Sequence, residues 1–233
     1  MQVFMINPNS TSSMTATALD SARKFAASGT VIRSGTGINA PASIEGFSDE
    51  ALSVPSMLTQ IREAEAAGAQ ATVIACFDDP GLDAAREVAT GPVIGICQAG
   101  IQAAMVLAKR FSIVTSLQRS VPAIEDLVHR YGAGQHCRRV RCIDLPVLAI
   151  ESESRHAFNL LVDEISRARD EDGAEAVVLG CAGMSELTEE LTKVTGVVVI
   201  DGVIVAIKMA EALIGSGLRT SKANAYAYPR VKD

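Results

Sequence analysis

One segment of this chain is written twice. Gly68-Ala69-Gln70-Ala71-Thr72-Val73-Ile74-Ala75-Cys76 recurs 105 positions later as Gly173-Ala174-Glu175-Ala176-Val177-Val178-Leu179-Gly180-Cys181. At the same offset Thr90-Gly91-Pro92-Val93-Ile94 falls on Thr195-Gly196-Val197-Val198-Val199. At an offset of 108, Val3-Phe4-Met5-Ile6-Asn7 matches Phe111-Ser112-Ile113-Val114-Thr115, and segments 30–33 and 138–142 match likewise. A pattern that returns in register across several elements marks duplication of a whole folding unit.

Short apolar runs rich in β-branched residues alternate with stretches of helical periodicity, which is the pattern of βα units and a mainly parallel sheet. Strands are expected near 2–6, 30–33, 72–76, 92–96, 111–115, 138–142, 176–180 and 197–200. Helices are expected near 13–27, 49–67, 99–109, 120–131, 154–171, 185–194 and 202–215. Another should open at Asp79-Pro80, a capping residue followed by a first-turn proline. The expectation is two similar Rossmann-like or flavodoxin-like α/β halves, each a mainly parallel four-stranded sheet. They are related by a pseudo-two-fold axis, with the active site in the cleft between them. The first half takes 1–97 plus 204–233 and the second 98–203. The Gly/Ala/Pro/Ser-rich stretch 35–48 is a long loop suited to a lid, and the polar tail after Gly217 should be loosely attached.

Composition narrows the partners. With 48% hydrophobic and 21% charged residues the chain can build a sizeable core. A net charge of −6 leaves no basic surplus for a phosphate backbone, which points away from nucleic acid and towards a small molecule. No apolar run reaches the roughly 18–20 residues of a membrane span, and the N-terminus lacks a basic leader, so no membrane partner and a cytoplasmic location are expected. Five cysteines at irregular spacing, without C-x-x-C pairs, suggest reduced thiols and no metal site.

In open parallel sheets ligands bind beyond the carboxyl ends of the strands. Cys76 and Cys181 each end a predicted strand and precede a helix, so two halves facing each other bring both thiols to one cleft. A helix N-terminus beyond each cysteine is expected to favour thiolate. Two bases on opposite sides of one carbon are what a racemase needs: one removes a proton and the conjugate acid of the other delivers one. Symmetric placement argues that this pair is more than packing. Cys97, Cys137 and Cys142 read as small core residues, and His129, His136 and His156 as surface or capping groups. Asp78 and Asp79 are candidate acid/base groups, although helix capping accounts for Asp79.

The opening Ile6-Asn7-Pro8-Asn9-Ser10-Thr11 carries a resemblance, as do Cys76-Phe77-Asp78-Asp79-Pro80-Gly81-Leu82, Gly95-Ile96-Cys97-Gln98-Ala99-Gly100 and Gly180-Cys181-Ala182-Gly183-Met184. From residue 2 to about 215 the chain resembles the hydantoin and allantoin racemase branch of the aspartate/glutamate racemase superfamily. The resemblance implies two cysteine bases, no cofactor and no metal. It also implies a homo-oligomer, tetramer or hexamer. Amino-acid racemases of the superfamily follow the first cysteine with Asn-Thr and the second with Thr and a polar residue. Here Phe77-Asp78 and Ala182-Gly183 follow instead, which points to a neutral 5-substituted hydantoin ring, allantoin or an amino-acid-derived hydantoin. By the same analogy Asn7 and Thr115 bind the ring amides, the backbone amides of Phe77 and Ala182 hold the enolate oxygen, and Phe77 forms an apolar wall. Ser43 and Ser116 are weaker candidates. The alternatives are an amino-acid racemase, a maleate isomerase or arylmalonate decarboxylase of the same superfamily, and a non-catalytic two-lobed binding protein.

Overall fold

In the computed structural model, which describes residues 1–230, eight strands form two separate four-stranded parallel sheets. In the first, β1 (Gln2–Asn7) lies between β2 (Val31–Thr36) and β3 (Ala71–Ile74), with β4 (Val93–Gly95) beyond β3. In the second, β5 (Phe111–Thr115) lies between β6 (Cys137–Cys142) and β7 (Ala176–Leu179), with β8 (Val198–Asp201) beyond β7. β3, β5 and β7 are buried along their whole length, as is β1 after Gln2. That is why they read as unbroken apolar runs rather than alternating ones.

The repeat is preserved in the hydrogen-bond register. Val3 pairs with Ala71 and Ile6 with Ile74; Phe111 pairs with Ala176 and Val114 with Leu179. Each residue of the first set maps onto the second at the offsets of 108 and 105 seen in the sequence. The match fails at the outer strands. A register shift between Phe111 and Ile113 sets Thr115 opposite Cys142, whereas Asn7 stands opposite Thr36, so β2 and β6 superpose at 106 there rather than 108. An irregularity of this kind leaves no mark in an apolar pattern.

Helices cover both faces. The outer face of the first sheet carries α2 (Phe47–Ala66) and α3 (Leu82–Val88), whose Met57, Ile61, Leu82 and Ala85 share a buried cluster with Phe4, Ile6 and Ile74. The outer face of the second carries the short α6 (Ala149–Ser152), α7 (Ser154–Asp172) and α8 (Thr188–Thr195), with Ile150, Leu161, Ile165 and Leu191 in one buried cluster with Val114, Val177 and Leu179. Full burial of each such side chain is worth roughly 1.5–3 kcal/mol. Between the sheets lies a third cluster drawn from both, together with α1 (Ser12–Phe25), α4 (Ile96–Leu107), α5 (Val121–Arg130) and α9 (Gly202–Gly215). α4 follows the last strand of the first sheet yet packs on β7 and β8; α9 follows the last strand of the second and packs on β3 and β4. The two helices touch each other at their starts, where a Cβ on Gly202 would lie 2.3 Å from the Ile96 carbonyl oxygen.

Two local expectations are corrected. Asp79-Pro80 does not open α3, which begins at Leu82; Asp79 itself is left-handed, with φ 45°. Its carboxylate instead caps α4, accepting from the Cys97 N–H at 3.1 Å, the Gln98 N–H at 2.9 Å and the Tyr131 hydroxyl at 2.7 Å. The cap position of α4 is held by Gly95, where a Cβ would stand 2.2 Å from that carboxylate. The tail after Gly217 is not loose. The Thr220 hydroxyl donates to Gly91 O, Lys222 Nζ to Arg86 O and Glu87 O, and the Tyr226 hydroxyl to Asp83, which pins the segment to the first half. Residues 231–233 lie outside the described residues.

Candidate active site

Cys76 and Cys181 each stand two residues past the end of a central strand rather than on it. The two turns match bond for bond. The Ala75 N–H donates to Ile6 O and the Gly180 N–H to Val114 O, both at 2.8 Å; the Asp79 N–H donates to Cys76 O and the Met184 N–H to Cys181 O, both at 3.1 Å. A Cβ on Gly180 would collide with Thr115 at 2.7 Å, so the approach of this turn to β5 requires glycine.

Both thiols line one narrow cavity of about 30 Å³, smaller than the roughly 300–1,000 Å³ of ligand pockets. Its walls come from corresponding connections in each half. The first half supplies Asn9, Met14, Ile44, Ala75, Phe77 and Asp78; the second supplies Thr115, Ser116, Ser120, Val147, Gly180 and Ala182. Of the residues expected here, Cys76, Cys181, Phe77, Thr115, Ser116 and Ala182 are brought together. Asn7 and Ser43 are not among the lining residues. The Asn7 side-chain amide faces its own loop, with Nδ2 on Asn9 Oδ1 at 2.8 Å, Thr15 Oγ1 at 3.0 Å and Thr11 O at 3.1 Å, and it is Asn9 that reaches the cavity. The Ser43 hydroxyl donates to Glu45 at 3.1 Å. Thr115 Oγ1 donates to Gly180 O at 3.1 Å, which ties the end of β5 to the second cysteine's turn.

Ile44 and Val147 were not foreseen, because they arrive from loops with no local signal. The first-half loop is fastened across the cleft: Ser10 N–H and Thr11 Oγ1 donate to Pro41 O and Ala42 O, while Glu45 Oε1 accepts from the Val147 N–H at 3.1 Å. The loop therefore roofs the cavity, with one wall from each half.

The electrostatics differ from the sequence expectation. Burial, reinforced by the Asp78 carboxylate, pushes the Cys76 thiol well above its ordinary range, and burial pushes Cys181 up to about 11. The N–H groups of Asp78 and Gly183 act on the respective sulfurs in the opposite direction and do not overcome burial. No helix axis compensates. α3 starts only at Leu82, and the turn at Ala182–Leu187 is a short 3-10 segment. Asp78 is pushed up to about 7 by burial and by the nearby Glu50 and Asp79 carboxylates. No Lys, Arg or His lines the cavity. The Phe77 and Ala182 N–H groups have no backbone acceptor among the described residues. Among those residues no group of three or more His, Cys, Asp or Glu is arranged to hold a metal ion.

Two duplicated α/β halves with a cysteine from each at one cavity define a two-lobed α/β protein whose candidate site lies between paired strand-end loops. The family model for Asp/Glu/hydantoin racemase matches residues 3–210. A hydantoin racemase from Rhizobium meliloti is 62% identical over 232 residues, covering 100% of this chain and 96% of the relative. The solved allantoin racemase from Klebsiella pneumoniae superposes with a TM-score of 0.97 at 46% identity, covering 100% of this chain and 95% of that one. An allantoin racemase from Pseudomonas fluorescens does so at 0.96 and 36%, covering 100% and 99%. The chain belongs to the Asp/Glu/hydantoin racemase family and is an isomerase of the racemase type. No helix among its described residues is long and apolar enough to cross a membrane.

Proposed function

We propose that this racemase interconverts the enantiomers of 5-substituted hydantoins, of which allantoin is one, by two-base proton transfer between Cys76 and Cys181. The observation that carries the reading is the pair of thiols on matched turns at a single cavity. The identity to named hydantoin and allantoin racemases supports the substrate class. Hydantoin C5 lies beside a carbonyl, so its proton is acidic enough for removal to an enolate without an electron-sink cofactor. One thiolate takes the proton, and the opposite thiol returns one to the other face. The N–H groups of Phe77 and Ala182 are the donors for the developing oxyanion. Asn9, Thr115 and Ser116 offer polar contacts at the ring's edge, against the apolar Met14, Ile44, Phe77 and Val147. The same likeness makes a homo-oligomer and a cytoplasmic location part of the proposal.

The test is polarimetry of the purified protein with single enantiomers of allantoin, 5-benzylhydantoin and glutamate. Loss of rotation with a hydantoin and none with glutamate is expected; activity on glutamate alone overturns the substrate class.

A further inference from the structure

Among the residues that line the cavity, the matched turns differ in charge at one position. Two residues past Cys76 stands Asp78, and two residues past Cys181 stands Gly183. Steric room does not dictate the glycine, since a Cβ there would meet only ordinary contacts, at 3.7 Å from Cys181 Sγ and 3.9 Å from Ile150. The cavity thus carries a single carboxylate in its wall, on one side of its pseudo-two-fold axis. That carboxylate has no hydrogen-bond partner and no cation beside it among the described residues. Facing it are Glu50 from α2, its neighbour Asp79, and the thiols of Cys76, Cys97 and Cys181. A half-buried carboxylate without a partner has lost part of its hydration and gained nothing in return, and here it also makes the formation of either thiolate harder. A bound molecule that donates an N–H into the wall offsets the first cost, whereas one that brings its own carboxylate adds a like charge in a site of low dielectric.

We infer that Asp78 is the specificity-determining residue of the site: its carboxylate accepts a ring N–H of the substrate and excludes anionic, open-chain amino acids. The inference rests on the hydantoin reading and deepens it. A neutral hydantoin ring presents two N–H donors, N1–H on the carbon that loses its proton and N3–H between the two carbonyls, and one of them satisfies Asp78. The single carboxylate also gives the ring one orientation between two turns whose backbones match. It fixes which edge of the ring faces the first half while leaving C5 between the sulfurs.

The experiment crosses Asp78→Ala with N1-methyl and N3-methyl derivatives of 5-benzylhydantoin, reading kcat and KM separately by polarimetry. For the parent compound, Asp78→Ala should raise KM at least tenfold with a smaller change in kcat. For one methylated derivative, wild type and variant should show the same kcat/KM, because the N–H that Asp78 would accept is already gone. Asp78→Asn, which keeps an acceptor but not the charge, should fall between the two. It should also admit N-carbamoylphenylalanine as a competitive inhibitor that wild type ignores. Equal losses on the parent and both derivatives, with racemisation intact, overturn the role of Asp78 alone. Absence of racemisation of every hydantoin by wild type overturns this inference and the hydantoin reading together.

Discussion

At the scale of single residues, the thiols are held in the wrong protonation state for a base. With Cys181 near 11, only about one molecule in ten thousand carries that thiolate at pH 7. The sign follows directly: a base must lose its proton to act, so a raised pKa places the active form on the alkaline side. Rates corrected for spontaneous racemisation are expected to climb steeply, approaching tenfold per pH unit, between pH 7.5 and 9.5; a flat profile would speak against thiolate bases. Cys76→Ser and Cys181→Ser should each lower racemisation by about 10³-fold, since positioned acid/base groups contribute roughly 10²–10⁴. Each variant should still exchange the C5 proton for solvent deuterium with retention, in opposite enantiomers, as followed by proton NMR in heavy water. Exchange of the same enantiomer by both variants would remove the division of labour by face.

At the scale of elements, α4 and α9 are the joint between the halves, and Gly202 is where they meet. A methyl group there would occupy space 2.3 Å from the Ile96 carbonyl, backbone that cannot swing aside. Gly202→Ala is expected to cost about 1–3 kcal/mol as overpacking, read as a lower midpoint in urea with an unchanged slope. No change in midpoint would mean that the helices slide apart freely. The start of each helix is capped by an aspartate reached in a different way. Asp201 caps α9 from its own cap position, with Oδ1 accepting from the Val203 N–H at 2.8 Å, whereas α4 borrows Asp79 from the cysteine turn. The borrowed cap ties the first cysteine's turn to the helix that reaches the second sheet.

For the molecule as a whole, these two caps contribute to a pH dependence of stability, in the same direction as Asp78, which is pushed up to about 7. Burial is the main cause that pushes Asp79 and Asp201 up to about 6. In the unfolded chain both release their protons near pH 4, so between about pH 4 and 6 the folded state holds more protons and stability falls as pH rises. Each group contributes on the order of 3 kcal/mol to that fall. Asp172, held down by Arg141 and Ser112, works in the other direction, its contribution being lost as pH falls from the ordinary carboxylate range through its own lowered value. Thermal melts should therefore give a lower Tm at pH 7.5 than at pH 5. Asp201→Asn keeps the capping oxygen and removes the charge. It should flatten that slope, because the cap no longer titrates. An unaltered slope would place the titration elsewhere.

The duplication was legible in the sequence because buried parallel strands must be continuously apolar, and because Cys76 and Cys181 recur at one offset. Those facts sufficed for two four-stranded sheets and for the equivalence of the cysteines; the family rested on the resemblance carried by the segments 6–11, 76–82, 95–100 and 180–184. The sequence could not place Asp79, whose capping of its own helix and of α4 are equally good local readings until Gly95 is brought alongside. Nor could it show that Asn7 spends its amide on Asn9, Thr11 and Thr15 while Asn9 reaches the cavity, or that Ile44 and Val147 close the roof. The thiol acidity was misread for the same reason. A helix start is local and visible in sequence, whereas desolvation is the sum of everything that packs around a sulfur, and only the tertiary structure assembles those neighbours.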